Sequence, residues 1–423
     1  VTPTAIRSAL DALRKSARGL RARSASETLE SLGTLLDTWR APDSAARREL
    51  ERRLPEATGF SAEGVRAGLA HALEPLSGDA LARLVDRELG GADALEGRGP
   101  VLAEGFETTG VVLAGALPTP TLMALLAPLV LRSGVLAKVS SHDPVTARCL
   151  RESLGEIDPA LGGCLEVASF PGADEPRMQA LLEADSIVAS GSDATIAAVA
   201  RRVRPPRRMV LRGHRLSLAV VGPHLGGADE LEAWAQAVAF DVALWDQLGC
   251  LSPVAVMVAG TEQGDAVAEA LAGALEHAEA RWPLGRVPSP AAACIAQERE
   301  EAEFRAAAGR PVRLLAGARW TVVREDGPRH RPAPLHRFVR IHPCGDTSGI
   351  LDALRPLGSR LAGVALEGFG SEQRGVADQI GRLGASRICS PGRLQAPPLG
   401  WHQDGQGVLL PLARLSDLEV PPG

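Results

Sequence analysis

Cys250 is the residue of this chain best placed by its neighbours to do chemistry. It lies in the stretch Leu244-Trp245-Asp246-Gln247-Leu248-Gly249-Cys250-Leu251-Ser252-Pro253, just after a glycine, between a helix-like run (230–244) and a strand-like one (254–258). A free cysteine inside an element is most often a small buried hydrophobe; one at a junction between elements can face a cleft. Gly249 permits close backbone approach, and the N–H of Cys250 can then point at an oxyanion forming on whatever the sulfur attacks.

A second candidate stands out by scarcity. Of 46 lysines and arginines only Lys15 and Lys138 are lysines, and Tyr and Asn are absent. A lysine surviving so strong a bias has a reason beyond charge. Lys138 ends the apolar run Val135-Leu136-Ala137-Lys138-Val139, before the polar turn Ser140-Ser141-His142-Asp143-Pro144. A third candidate is Ser190-Gly191-Ser192-Asp193, which links the apolar run 186–189 to a helical pattern over 194–202. Such a turn offers backbone N–H groups, hydroxyls and a positive dipole end to a phosphate, although helix capping alone also explains serines there. Arg201, Arg202, Arg204, Arg207 and Arg208 crowd around Pro205-Pro206; they suit a solvated loop or an anion contact. His402, in the turn-rich tail Pro397-Pro398-Leu399-Gly400-Trp401-His402-Gln403-Asp404-Gly405, suits a surface position or a proton donor.

The elements that must position these residues follow from periodicity. From Ala5 to about Gly90 apolar residues recur at helical spacing (Ile6, Leu10, Leu13; Leu29, Leu32, Leu35, Leu36; Val65, Leu69, Leu73, Leu76). Ser61 opens one helix and Gly90-Gly91 closes the last. This region offers packing or oligomerisation surface rather than chemistry. After Gly99 short apolar runs (111–114, 135–139, 186–189) alternate with helices (120–131, 194–202), the pattern of parallel βαβ units whose ligands sit at the carboxyl ends of the strands. A strand at 216–221 leaves this unit, with Gly222-Pro223 as hinge. A second α/β segment follows, with helices at 264–281, around 298–308 and 372–383, and strands at 254–258, 320–323, 338–341 and 361–366. On these signals the chain divides into a helical region (1–95), a dinucleotide-binding domain (96–222), a domain carrying the thiol (223–390) and a tail packing back on the body (391–423).

Composition narrows the function classes. A 423-residue chain with 45% hydrophobic content can bury two or three cores. A net charge of −5 with interspersed charges gives no nucleic-acid signature. Six cysteines without CxxC or metal spacing indicate reduced thiols, no metal and a cytoplasmic setting. Neither a signal peptide nor an apolar run of membrane-spanning length is seen.

Together the stretches 113–118, 134–144, 184–202 and 244–253, in that order, resemble the aldehyde dehydrogenase superfamily, and more narrowly the LuxC-type acyl-CoA reductases. Thr58-Gly59-Phe60-Ser61 and the stretch 397–405 are similar to the narrower family, so the resemblance covers nearly the whole chain. It implies an aldehyde dehydrogenase-like α/β fold, with a Rossmann-like cofactor domain, an α/β catalytic domain and a helical N-terminal region, in a homo-oligomer. It also implies that Cys250 accepts the acyl group of an acyl-CoA or acyl-carrier thioester. Lys138 would hold the adenosine ribose and Ser190, Gly191 and Ser192 would face the pyrophosphate. Ser140-Ser141 stand where NAD-preferring relatives carry a carboxylate, and losing that charge makes room for a 2′-phosphate, so NADPH is the expected reductant.

Two departures accompany the resemblance. The superfamily's oxyanion asparagine falls on Ala116, and losing such a donor costs about 10²–10³ in rate. The glutamate that activates water in hydrolytic relatives would fall near Leu211-Arg212-Gly213-His214, where there is no carboxylate. That absence suits a thioacyl enzyme that must survive until reduction. The expected activity is NADPH-dependent reduction of a fatty acyl thioester to the aldehyde. The alternatives are reduction of an acyl phosphate with the 201–208 arginines as phosphate contact, acyl transfer through Cys250 without reduction, and a degenerate dinucleotide-binding protein, for which Ala116 would be the sign.

Overall fold

The computed structural model describes residues 1–419; the last four residues of the expected tail lie outside the described residues. Five helices come first: Pro3–Arg21, Ala25–Arg40, Ala45–Thr58, Ala62–Leu73 and Gly78–Leu89. Each opens on a Ser or Thr (Thr2, Ser24, Ser44, Ser61, Ser77) whose hydroxyl accepts a first-turn backbone N–H, a cap that stabilises a helix by about 1 kcal/mol. Gly59 and Gly90 stop two of them at left-handed φ of 86° and 80°, which a Cβ would oppose.

Among the described residues, fourteen strands form three sheets. β1 (Val101–Gly105) pairs antiparallel with β14 (Ala413–Asp417), so the tail returns to the start of the α/β body. The first large sheet contains β2 (Thr108–Val112), β3 (Gly134–Lys138), β4 (Leu165–Ala168), β5 (Ser186–Ser190) and β6 (Arg208–Arg212), all parallel, in the order β4-β3-β2-β5-β6. The chain runs outward from β2 through β3 to β4, then returns to β2's other side for β5. That reversal leaves a crevice at the carboxyl ends of β2 and β5, where doubly wound sheets bind ligands.

Alternation decides what covers this sheet. Val111, Val135 and Val188 face the helices Pro118–Val130 and Thr146–Ile157, onto which the helices from Ala25 to Leu89 pack, while Val112, Leu136 and Ile187 face Ile6, Leu10 and Leu13 of the first helix. The first helix is thus a direct packing partner of the sheet, and the next four form a second layer.

The second large sheet joins β7 (Leu216–Val221), β8 (Pro253–Val258), β9 (Arg313–Ala316), β10 (Thr321–Arg324), β11 (Phe338–Pro343), β12 (Leu361–Glu367) and β13 (Arg387–Cys389) in the order β13-β12-β7-β8-β11-β10-β9. Only the edge strand β9 runs antiparallel to its neighbour. Helices Ala228–Ala243 and Gln263–Arg281 cover one face through Trp234, Val238 and Leu271; Thr347–Leu354 and Gln373–Leu383 cover the other through Ile350, Leu354, Val376 and Ile380. The chain passes between the two sheets at residues 213–215.

The helix expected around 298–308 starts earlier, at Ser289. Pro290 sits in its first turn, where the missing N–H would have had no partner, so the proline-rich run opens the helix rather than delaying it. Among the described residues no helix is long and apolar enough to cross a membrane, and no group of three or more His, Cys, Asp or Glu side chains could hold a metal.

Candidate active site

The thiol is set by an abrupt change of backbone hand. Helix Ala228–Ala243 ends, Trp245, Asp246 and Gln247 adopt left-handed φ of 56°, 50° and 63°, and the chain then turns through Gly249 and Cys250 into β8. Left-handed backbone costs about 1–2 kcal/mol per residue without glycine, so the turn needs outside support. Gln247 donates to the carbonyls of Pro253 (2.9 Å) and Phe338 (3.0 Å) and accepts from the N–H of Phe338 (2.9 Å). Trp245 packs edge-on to Phe60 at 5.6 Å and fits against Gly68, where a Cβ would come within 2.5 Å of its ring. The N-terminal helices thereby hold the turn that leads to the thiol.

Cys250 is exposed, as is Cys294 on the helix Ser289–Ala307. The Ser217 hydroxyl donates to the Cys250 carbonyl at 2.7 Å and accepts from Gly363 N–H at 2.9 Å, tying the turn to β7 and β12. Among the described residues the Cys250 N–H serves no other residue's carbonyl, so it stays available to an oxyanion. From the first sheet, the loop after β2 closes over the turn: Leu117 Cδ2 lies 2.9 Å from where a Cβ on Gly249 would stand, so a larger residue there would have to displace the Leu117 side chain. Ala116, beside Leu117, is buried and brings no polar side chain.

Solvent reaches Cys250 from one side, while the protein packed around the others pushes its thiol up to about 11. The Asp404 carboxylate pushes in the same direction; Arg212 and Arg215 oppose it. The structure therefore brings to the thiol a carboxylate and two guanidinium groups that its own segment does not contain. Arg215 Nε donates to Asp404 Oδ1 at 3.0 Å. Asp404 sits at a left-handed φ of 57° in the tail, and its Oδ2 is buried without a donor among the described residues. His402, two residues earlier, is exposed at the surface.

The residues expected to meet a dinucleotide all stand at the carboxyl edge of the first sheet. Val112 is in register with Lys138 on one side and Ala189 on the other, so Lys138 and the 190–192 turn are about 10 Å apart across β2. Lys138 is buried, with Nζ donating to Val139 O at 3.1 Å and 5.7 Å from the Phe170 ring centroid; burial lowers its pKa. Ser140 is buried and its hydroxyl accepts from His142 N–H at 3.1 Å. The carboxylate in that turn, Asp143, is buried and accepts from the N–H groups of Val145 and Thr146. Ser190 ends β5, half-buried. Gly191 donates its N–H to Arg212 O at 3.2 Å, and a Cβ there would come 3.2 Å from Thr195. Ser192 is exposed and caps the helix Asp193–Arg202, accepting from Thr195 N–H at 3.2 Å. A sheet-edge crevice with a turn of two serines around a glycine, a helix N-terminus and a buried lysine fits a dinucleotide phosphate and ribose.

The arginine cluster lies elsewhere. Arg208 begins β6 opposite Ser186, at the amino edge and about 13 Å from the carboxyl edge by strand rise. Arg201, Arg204, Arg207 and Arg208 are exposed, and Arg202 pairs with Glu175 at 2.5 Å. These residues form a solvated loop remote from the thiol.

Spacing alone did not reveal Arg212, Arg215, Ser217, Gln247, Gln395 or Asp404 as companions of Cys250. Gln395 donates to Ser252 Oγ at 2.6 Å and to Asp241 O at 3.1 Å, joining the tail to the thiol turn. Some had a visible signal: Gln247 stands in the thiol stretch, Arg212 at the position aligned with the relatives' glutamate, and Asp404 in a turn-rich segment ending in glycine.

Among solved structures, the chain is similar to an NAD-dependent aldehyde dehydrogenase from Sinorhizobium meliloti, with TM-score 0.76 and 15% identity over 100% of this chain and 88% of that one. It is also similar to an NADP-dependent glyceraldehyde-3-phosphate dehydrogenase from Bacillus halodurans C-125, with TM-score 0.75 and 15% identity over 98% and 90%. The architecture is the aldehyde dehydrogenase fold. A long-chain acyl-protein thioester reductase from Aliivibrio fischeri is 25% identical over 401 residues, covering 92% of this chain and 81% of that protein. The family model described as acyl-CoA reductase (LuxC) matches residues 20–416. With nearly its whole length aligned to that model, the chain belongs to the LuxC acyl-CoA reductase family.

Proposed function

We propose that this protein reduces an acyl thioester, carried on CoA or on a carrier protein, to the aldehyde through an S-acyl form of Cys250. The observation that carries the proposal is the position of Cys250. The residue is exposed, its carbonyl is fixed by Ser217, and the loop after β2 brings the carboxyl edge of the first sheet against its turn. Family membership and the similarity to a thioester reductase support the same reading.

On this proposal the Cys250 thiolate adds to the thioester carbonyl and expels the carrier thiol, leaving the S-acyl enzyme. NADPH, when bound, supplies the hydride that reduces this acyl group. Lys138 would hold its adenosine ribose and Ser190, Gly191 and Ser192 would face its phosphates. Ser140, with no carboxylate free in its turn, would leave space for a 2′-phosphate. The Cys250 N–H offers one hydrogen bond to each oxyanion. Release of the aldehyde returns the thiolate, and Ser217 keeps the turn in place throughout.

Intact-mass measurement after mixing with a fatty acyl-CoA tests the proposal. Wild-type protein should gain one acyl mass, which NADPH should discharge as aldehyde. Cys250→Ala should show neither event while still binding NADPH. Acylation or aldehyde formation by Cys250→Ala would refute it.

A further inference from the structure

We infer that Arg212 supplies the oxyanion contact that Ala116 cannot, reaching the reacting carbonyl from the end of β6 rather than from the loop after β2. This rests on the proposed role of Cys250.

Four observations converge on it. Arg212 is the last residue of β6, at the carboxyl edge, and its backbone carbonyl accepts from Gly191 N–H at 3.2 Å. It is therefore tied to the turn proposed for the cofactor phosphates. Its guanidinium is half-buried and, among the described residues, makes no ion pair and no side-chain hydrogen bond. A partly desolvated guanidinium without a partner is costly unless an anion arrives during the work of the protein. Its charge acts on both Cys250 and Asp404, and burial lowers its pKa. Finally, Asp404 Oδ1 takes its hydrogen bond from Arg215, which also donates to the His214 carbonyl at 3.0 Å, and among the described residues the remaining Oδ2 takes none from Arg212. Arg215 thus holds Asp404 while Arg212 makes no hydrogen bond to it.

The geometry suits the role. When Cys250 sulfur bonds to a thioester carbon, the carbonyl π electrons move to oxygen, giving a full negative charge one bond from the new C–S link. Collapse returns that pair to the C=O bond and breaks the bond to the carrier thiolate. The later reduction produces the same charge again, with Cys250 sulfur as the leaving group. A half-buried guanidinium whose charge already acts on the sulfur meets the negative charge at both stages, and its N–H donors are not committed to another group among the described residues. The N–H of Cys250 supplies the second donor. The charged groups that act on the thiol are Asp404, Arg212 and Arg215, and among the described residues Arg212 is the one of the two cations without a hydrogen-bond partner.

Two reactions of the same sulfur separate an oxyanion contact from a general effect on the thiol. Acylation by a fatty acyl-CoA passes through an oxyanion; alkylation by iodoacetamide does not. Arg212→Met should slow acylation of Cys250 about 100-fold or more while slowing alkylation only a few-fold, since removing a cation leaves less thiolate. Arg212→Lys should recover part of the acylation rate, and guanidinium ion added to Arg212→Ala should recover part as well. Equal losses in acylation and alkylation would show that Arg212 acts only on the thiol, and would overturn the inference. So would an acylation defect overcome entirely by raising acyl-CoA, which would mark Arg212 as a carrier-phosphate contact. If the wild-type protein fails to acylate Cys250, the proposed function fails first; if wild type acylates and Arg212→Met matches it, the Arg212 role alone falls.

Discussion

Arg337 Nη2 donates to Asp246 Oδ1 at 3.2 Å, and both residues lie in runs of three left-handed backbones: Trp245, Asp246 and Gln247 on one side, Leu335, His336 and Arg337 on the other. The two runs lock together through this ion pair and the Gln247 to Phe338 hydrogen bonds. One of them ends three residues before Cys250. Each turn alone is unfavourable, and each supplies the partner that makes the other tenable.

Arg337→Ala should therefore destabilise the fold by about 3–5 kcal/mol, because Arg337 is fully buried and its removal strands the buried Asp246 without a cation and leaves Glu279 only the more distant Arg319. It also loses hydrogen bonds to the carbonyls of Trp282 and Ala243. Urea unfolding measures the loss; a midpoint unchanged from wild type would mean that the ion pair does not support the turn.

Asp241 makes stability depend on pH in the direction opposite to most carboxylates. It is buried on the helix leading to the thiol turn, its Oδ2 accepts from Gly392 N–H at 2.7 Å, and Oδ1 has no partner among the described residues. Burial pushes its carboxyl up to about 7, against the pull of the Gly392, Gln395 and Leu394 N–H groups. An unfolded chain releases this proton near 3.8, so between about pH 4 and 7 the folded state binds more protons. Stability should then fall as pH rises through that window and level off above it. Asp241→Asn should exceed wild type by about 2 kcal/mol at pH 5 and by up to about 4 kcal/mol at pH 8. Equilibrium unfolding at the two pH values decides, and a wild-type stability constant across the window would remove Asp241 as its cause.

Lys138→Ala should weaken NADPH binding tenfold or more, the scale of one hydrogen bond to a charged group. Ser140→Glu should weaken NADPH while sparing NADH, because a carboxylate would oppose the 2′-phosphate. Quenching or enhancement of nicotinamide fluorescence on titration reads both. Wild-type NADPH affinity in Lys138→Ala would remove that residue from the cofactor site.

Much of the architecture was legible locally. Alternating apolar runs and helical patterns marked β3, β5, β7 and β8, and capping residues such as Ser61 and Gly90 marked helix ends, because these signals act within a few residues. β1 and β14 escaped notice because their pairing joins segments some 300 residues apart and neither has a strong pattern of its own. The early start of the helix Ser289–Ala307 was hidden by prolines that read as a turn until their place in the first turn is known.

By itself the sequence determined the thiol after Gly249, the rare lysine at a strand end, the lack of an asparagine at Ala116 and the succession of βαβ units, since each is a property of residue type and short spacing. Tertiary structure alone decided what surrounds the sulfur. Asp404 comes from the tail, Arg212 and Arg215 from the passage between sheets, and Leu117 from a loop more than a hundred residues upstream of the thiol. Charges act through space, and which charges share a cleft depends on how the two sheets pack, a relation that no local pattern encodes.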